Sequence, residues 1–347
     1  MRLSIQQLKS FCTDCLMKSG LSIEAAETGA DVLSVTDSWG IHTHGVKNLR
    51  GYIRRVQAGG IRPNGVPRIE DQSSSWVKVD GDAALGMVAA DFSIRQAVQK
   101  AEQCGIGFVG LRNSCHFGAA GYYSWIAARK GCIGVSMSND IPTVSGPGSR
   151  GPVLGSNPFS YCIPTGDDRP ILMDFATSTV AGGKVFAAAA RGESIPEGWI
   201  VDQDGKPTQD PGKFPNEASL TPMAGHKGYG LALFIEVLSA VITGAAVTNQ
   251  VLSFAFEDAS LPTNHGAAFI AIRPDLFMGS GLFQTRIHSL IAEIRSVPVA
   301  EGSEQLGMPG DREWNYRERS IRDGIEFPEA VQKEMELLSE EMAIPFS

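Results

Sequence analysis

Apolar residues in the first sixty positions recur at intervals of three and four. Leu8, Phe11, Cys12, Cys15 and Leu16 share one helical face, opened by a capping box of Ser4 with Gln7 and ended by Gly20. Ser22 caps a second helix running to about Ser34, and Val46 to Gln57 predicts a third. A Gly/Pro-rich turn over 59–68 follows, and the pattern then changes. Trp76, Val77 and Val79 start a strand, helix 86–103 leads to strand 105–111, and helix 119–130 leads to strand 132–138. A Gly/Pro/Ser-rich segment, 145–158, separates these from strands near 159–163 and 170–175 and a helix over 178–191. Residues 193–224 hold several Pro, Gly and Asp and predict a long loop. An apolar helix at 229–244, a strand at 267–272, a helix near 283–295 and a charged helix at 328–342 complete the chain. Strands alternating with helices predict a layered α/β core.

At 347 residues the chain has room for two lobes. Its 43% hydrophobic and 20% charged residues exclude wholesale disorder. A net charge of −8 argues against a nucleic-acid backbone as the main partner. The longest apolar stretch, 231–247, is broken by Glu236 and is too short to span a bilayer comfortably, so it reads as a buried helix with no membrane role. The opening MRLSIQQLKSFCTDC reads as an amphipathic helix and not as a leader. Six scattered cysteines are sparse for a disulfide scaffold, and with the missing leader they predict reduced thiols in a cytoplasm. Cys12 and Cys15 form a CxxC, but their place on the helix face predicts core packing, and no zinc ligand set accompanies them.

The pattern GxGxxG occurs twice, at Gly105/Gly107/Gly110 and at Gly146/Gly148/Gly151. Neither stands between a strand and a helix N-terminus, where the amides of a dinucleotide fingerprint must face a pyrophosphate. There is no GxxxxGK[ST], no GxSxG and no HExxH. Four other segments hold side chains suited to chemistry. In GIHTHGV, Thr43 or His44 falls near a helix N-terminus where free amides suit an anion. His42 and His44 could also bind a metal or simply cap, and local spacing leaves this open. His116, in NSCHFGAAGYY, follows the end of a strand, and an imidazole there can exchange a proton with a hydroxyl or carbonyl oxygen. Lys227, in GHKGYG, lies among glycines at the start of the long apolar helix and suits a phosphate or carboxylate. Asp174, in DFATS, ends a strand and could hold a ribose hydroxyl or order the cap that follows.

Taken in order, GIHTHGV, HFGAAGYY, LGSNPFSY, DFATS and GHKGYGLAL resemble the type 2 malate/L-lactate dehydrogenase family, from the first helix to the Pro309-Gly310 turn. That family includes ureidoglycolate and sulfolactate dehydrogenases, diketogulonate reductase and piperideine-2-carboxylate reductases. The resemblance implies hydride transfer between NAD or NADP and a 2-hydroxy acid, or a related amino acid, and its oxo or imino partner. It implies a non-Rossmann α/β fold, α/β/α layers around a mixed sheet as in sulfolactate dehydrogenase, with a helical domain from both chain ends. The boundaries are 1–75 with 283–347 for the helical, dimerising part and 76–282 for the α/β region that takes the cofactor. A homodimer acting on a small 2-oxo or 2-hydroxy acid is the expected assembly.

By the same resemblance, His44 and His116 are the candidates for acid/base work and for holding the substrate oxygen; His116 is favoured over His44 as the proton donor in reduction, and Thr43, Asn48 and Tyr52 line the substrate. Asn139, Asp140, Asp174, Phe175, Ala176 and Lys227 match nucleotide-contacting positions, and the turn Gly310-Asp311-Arg312 closes over the cofactor; no metal is implied. Thr43 stands where the family usually has Ser. Asn48 replaces the Arg of many members, and its amide cannot supply bidentate ion pairing, which puts malate and lactate in doubt as substrates. Lys47, Arg50 or Arg54 are possible substitutes. A cyclic imino acid reductase and a non-catalytic nucleotide-binding homologue are the rival expectations.

Overall fold

The computed structural model describes residues 1–346. Helices α1 (Ile5–Lys18) and α2 (Ile23–Ser38) form where the apolar periodicity requires them, and the Ser4–Gln7 capping box is present in both directions. Cys12 and Cys15 face inward from α1 and are fully buried. Helix α3 (Leu49–Ala58) follows a single 3-10 turn over Val46–Asn48. The turn after α3 ends at residue 67, close to the expected bound, and Arg68–Gln72 then forms an edge strand not foreseen, β1, paired with β2 (Trp76–Asp80). Its side chains are mostly exposed, so it carries little apolar signal.

Helix α4 (Gly86–Cys104) leads into β3 (Ile106–Ser114), and α5 (Ala120–Arg129) into β4 (Ile133–Ser138). Strands β5 (Phe159–Ile163), β6 (Ile171–Phe175) and the late β7 (His265–Ile272) complete a seven-stranded sheet of order β1-β2-β3-β7-β4-β5-β6. Only β2 and β3 are parallel. Strand β7 enters the middle, antiparallel to both β3 and β4, with His265 opposite Ser114 and Ala267 opposite Ser138. Gly266 sits at a bulge there. A Cβ on it would stand 2.0 Å from the Ser239 carbonyl of the helical layer, so only glycine fits. The first GxGxxG run is a packing feature for the same reason: a Cβ on Gly107 would meet the Ala97 carbonyl of α4 at 2.1 Å.

One face of the sheet is covered by α4 and α5, with α1 and α2 behind them. The other is covered by α7 (His226–Glu236) and the π-helical turn Val237–Val241 that continues it. The architecture is therefore layered α/β/α. A single core runs from Leu8 and Leu33 through Val109 and Phe269 to Met335 of the last helix, α10 (Glu329–Met342). Residues 144–154 and 200–220 build a second sheet of five short strands, with α6 (Gly182–Arg191) and its own core of Val144, Val185, Ile200, Phe214 and Leu220. The segment 193–224 contributes strands Ile200–Asp202, Pro207–Thr208 and Ala218–Leu220 to it, in place of the long loop expected; strands this short show no period. Between α8 (Ser280–Arg295) and α10, a further helix, α9 (Asp311–Asp323), was not foreseen, because only Trp314 and Ser320 of this charged segment are buried. Among the described residues no helix is long and apolar enough to cross a membrane.

Two side chains tie distant segments together. Trp39, fully buried at the end of α2, packs edge-on against Trp125 of α5 at 5.5 Å and Trp314 of α9 at 5.6 Å. Arg55 of α3 is 1% exposed, and its guanidinium donates to five backbone carbonyls, those of Ser253, Phe254, Glu257, Asp258 and Leu261. It therefore clamps the loop that precedes β7 against α3. Trp39→Ala should cost about 3–5 kcal/mol, the usual cost of emptying a large aromatic site, as measured by urea unfolding. Arg55→Met should destabilise by about 3 kcal/mol or more, because buried carbonyls lose their donor. Limited proteolysis should then cut within 253–261 before any other loop; an unchanged cleavage pattern would refute the clamp.

Candidate active site

The site forms where three strands of the large sheet reach the same edge. His116 lies two residues past the end of β3, Asp140 two past the end of β4, and His265 is the first residue of β7 between them. The loop before α3 adds His44, and α3 itself adds Tyr52. The imidazoles of His44 and His116 are 5.8 Å apart and nearly parallel, at 25°. Phe254, on the loop clamped by Arg55, stacks over His116 at 5.0 Å and packs on Tyr52 at 4.6 Å. The Tyr52 hydroxyl lies 2.5 Å from Nδ1 of His116. Burial pushes the Tyr52 phenol well above its ordinary pKa, so the phenol keeps its proton. It therefore donates to Nδ1 when the imidazole carries its proton on Nε2, and accepts from Nδ1–H when Nε2 is left bare.

Burial pushes the His116 imidazole down to about 3, and the adjacent His44 and His265 work in the same direction against the opposing charge of Asp140. His44 is also lowered, mainly by burial, with Asp140 opposing and Lys47 adding to the shift. The Asp140 carboxyl lies below its ordinary range. Burial works to raise it, but the hydrogen bond and charge of His265, 3.4 Å away, outweigh that effect. The resting site thus holds two imidazoles of lowered basicity, His44 and His116, beside the Asp140 carboxylate that His265 contacts.

The remaining sequence-predicted residues fall into three groups. Thr43 is exposed at the mouth, its hydroxyl 2.9 Å from Nδ1 of His44, and Asn48 uses its amide to donate to the Thr43 carbonyl at 3.0 Å. His42 turns away from the cluster to Asp37, whose carboxylate also accepts from the Val46 amide, so it orders the loop. Asn139 is buried, and its side chain is spent on Gly266 N, the Ala246 carbonyl and Glu236, while its neighbour Asp140 faces the histidines. The third group lies along the far edge of the sheet. Asp174 accepts from the Gly121 amide in the first turn of α5; burial raises its carboxyl to about 6 against that bond, and Glu313 adds to the rise. Phe175 and Ala176 follow it at half-buried positions, and Lys227 is exposed at the first turn of α7, which the Met223–Thr177 backbone bond holds beside them.

Gly310 caps α9 against Leu172 of β6, and Asp311 begins that helix. The Asp311 carboxylate takes up Arg295 and the Met308 amide, and Arg312 lies over Tyr316. A cavity of about 590 Å³ opens here, lined by Ile171, Met308, Pro309 and Asp311, a size ordinary for small-molecule pockets in general. A carboxylate at Asp174 and a cation at a helix start at Lys227 are groups of the kind a nicotinamide dinucleotide needs; the cavity is a separate hollow whose lining includes neither.

Sequence reasoning missed His265, Phe254 and Arg55. His265 had a signal, since Asn264-His265-Gly266 stands immediately before an apolar strand, the mirror of His116 after one. Phe254 and Arg55 had none, because their partners lie about 200 positions away, as in the 199-residue separation of Arg55 and Phe254.

Residues 3–336 match the family model described as malate/L-lactate dehydrogenase. L-sulfolactate dehydrogenase of Methanocaldococcus jannaschii is 36% identical over 97% of this chain and 96% of its own length. Its solved structure superposes with a TM-score of 0.91 over 100% of this chain and 98% of that one. Ureidoglycolate dehydrogenase (NAD(+)) of Escherichia coli K12 is 35% identical over 95% of this chain and 94% of its own length. The structure of malate dehydrogenase from Entamoeba histolytica is 30% identical, with a TM-score of 0.93 and 99% of each chain covered. Together with the α/β/α frame and the histidine cluster at its edge, these matches make the chain a member of the malate/L-lactate dehydrogenase family, a hydroxy acid oxidoreductase.

Proposed function

We propose that the protein interconverts a small 2-hydroxy acid and its 2-oxo acid, with His116 moving the proton. The observation that carries this reading is the pairing of His116 with the Tyr52 hydroxyl at 2.5 Å, with His44 stacked alongside at 5.8 Å. When bound, the nicotinamide supplies the hydride that goes to C2 in reduction, and it takes that hydride back in oxidation. Asp174, Phe175, Ala176 and Lys227 would hold it, with Gly310, Asp311 and Arg312 at its outer end. In oxidation, neutral His116 accepts the hydroxyl proton at Nε2 while Nδ1–H donates to Tyr52. In reduction, the imidazolium returns that proton to the oxygen, and the charge of Asp140 favours the protonated ring. His44 and Thr43 donate to the substrate oxygen and carboxylate, with Lys47 nearby as a cation. The rival reading as a cyclic imino acid reductase is not better supported.

A homodimer is supported by the outer face of α7 and its π-helical continuation. Leu233, Phe234, Val237, Val241 and Ile242 are all at least one third exposed there and fall at helical spacing. Five of the six cysteines are buried free thiols, which supports a reducing compartment such as the cytoplasm.

His116→Ala should lower kcat by about a hundredfold or more in both directions, the scale of a lost acid/base group, followed at 340 nm with NADH and NADPH separately. Wild-type turnover in that variant would remove His116 from the mechanism. The pH dependence has a definite sign. Because the resting imidazole is neutral down to about pH 3, kcat/KM for oxidation should owe no loss to His116 between about pH 5 and 8. Over the same range kcat/KM for reduction should fall about tenfold per pH unit as the protonated fraction falls. Sedimentation should give twice the chain mass, and Phe234→Glu should give a folded monomer.

A further inference from the structure

We propose that the acid accepted by this site carries an aromatic or bulky apolar group beyond C2, and not a second acidic group. The inference rests on the 2-oxo/2-hydroxy acid reading above and specifies its substrate class. Recognition of a dicarboxylate or sulfonate needs two cationic or multiply donating sites, because an anion left unpaired against apolar walls loses its hydration without compensation. The segment 43–58 does not supply two. Asn48 has spent its amide on the Thr43 carbonyl. Arg50 turns outward to Glu341 and Glu334 of α10, and Arg55 is consumed by five loop carbonyls. Arg54 is exposed, and its charge acts on Asp258 of the clamped loop and not on the histidines. Lys47, close enough to His44 to depress its basicity, makes no ion pair among the described residues and can serve one carboxylate.

What faces that end of the site is phenyl. Phe254 lies over His116 and Tyr52. Two residues on, Phe256 is 70% exposed, and its ring lies 6.3 Å from that of Phe186 on α6, itself 40% exposed. Helix α6 is directed at the site. A Cβ placed on Gly183, one turn before Phe186 and on the same helix face, would lie 3.7 Å from the Thr43 methyl. Phe186 and Phe256 therefore flank the opening above Thr43, His44 and His116 from two separate elements. The Arg55 clamp fixes the loop that carries Phe254 and Phe256, so this wall is formed before anything binds, which lowers the ordering cost for an apolar group that enters it.

The test is the ratio of kcat/KM for phenylpyruvate and oxaloacetate, with pyruvate as the reference lacking a side group, using the intact protein and each reduced nicotinamide. Phenylpyruvate should exceed oxaloacetate by at least about tenfold, the scale of adding a well-placed apolar group. Phe256→Ser, a surface change expected to leave the fold intact by circular dichroism, should reduce the phenylpyruvate value about tenfold through KM while moving pyruvate less than about twofold. Calorimetry on the nicotinamide-loaded protein should rank phenyllactate above malate in affinity, and Phe256→Ser should narrow that gap. Oxaloacetate equal to or better than phenylpyruvate, or Phe256→Ser acting equally on both acids, overturns the apolar substrate while leaving the oxidoreductase reading intact. No oxidation of either cofactor with any of the three acids, and no binding of phenyllactate or malate, overturns both.

Discussion

The insertion of β7 into the middle of the large sheet is the constraint on which the site depends. Arriving ninety positions after β6 ends, from 175 to 265, it pairs antiparallel with both β3 and β4, so its first residue lies at the edge where those strands end. Backbone hydrogen bonds on both sides set its register, and a slip of one residue would move His265 to the opposite face. The sheet thereby brings His116, Asp140 and His265 together from three remote parts of the chain. The bulge at Gly266 and the side chain of Asn139, which takes the Gly266 amide, pin the same junction. The clamp on the preceding loop, made by one buried guanidinium, then fixes what lies above the histidines.

The lowered basicity of His44 and His116 follows from this crowding. Three histidines share a poorly hydrated edge with one carboxylate, so protonating any of them places a positive charge beside the others. Desolvation is the largest influence on His116, and the neighbouring histidines add to it. A neutral ring with its second nitrogen held by a phenol is a proton acceptor in a defined orientation. The Asp140 charge opposes that lowering, which in the proposed reaction would favour the protonated ring. The residue matched by resemblance to a nucleotide contact thus stands, in the folded chain, at the electrostatic centre of the histidine cluster.

Much of this was legible in the sequence because the relevant physics is local. The capped periodicity of α1 and α2, the apolar runs of β3 and β4, and the failure of both glycine patterns as dinucleotide fingerprints all rest on neighbours within one or two turns. The place of His116 just beyond the end of a strand was legible for the same reason, although local spacing alone did not separate a chemical role from a plain loop residue. The three-residue strands between 200 and 220 and the charged helix α9 were not legible. Their burial depends on partners elsewhere, and Trp314 alone ties α9 to Trp39. The order of the sheet was not legible either, because nothing in residues 265–272 names the two strands they separate.

The sequence by itself determined the layered α/β class, the family to which the chain belongs and the histidines able to carry chemistry, because each is written in spacing and residue type. Only the tertiary structure decided that Asn48 is spent on Thr43, that Arg50 and Arg55 are engaged elsewhere, that Phe254 stacks on His116 and that Phe256 lies beside Phe186. Those outcomes turn on where a side chain finds its hydrogen-bond partner or its apolar neighbour. In a chain that brings residue 55 to residue 254, the partner is set by the packing of the whole fold and not by adjacency.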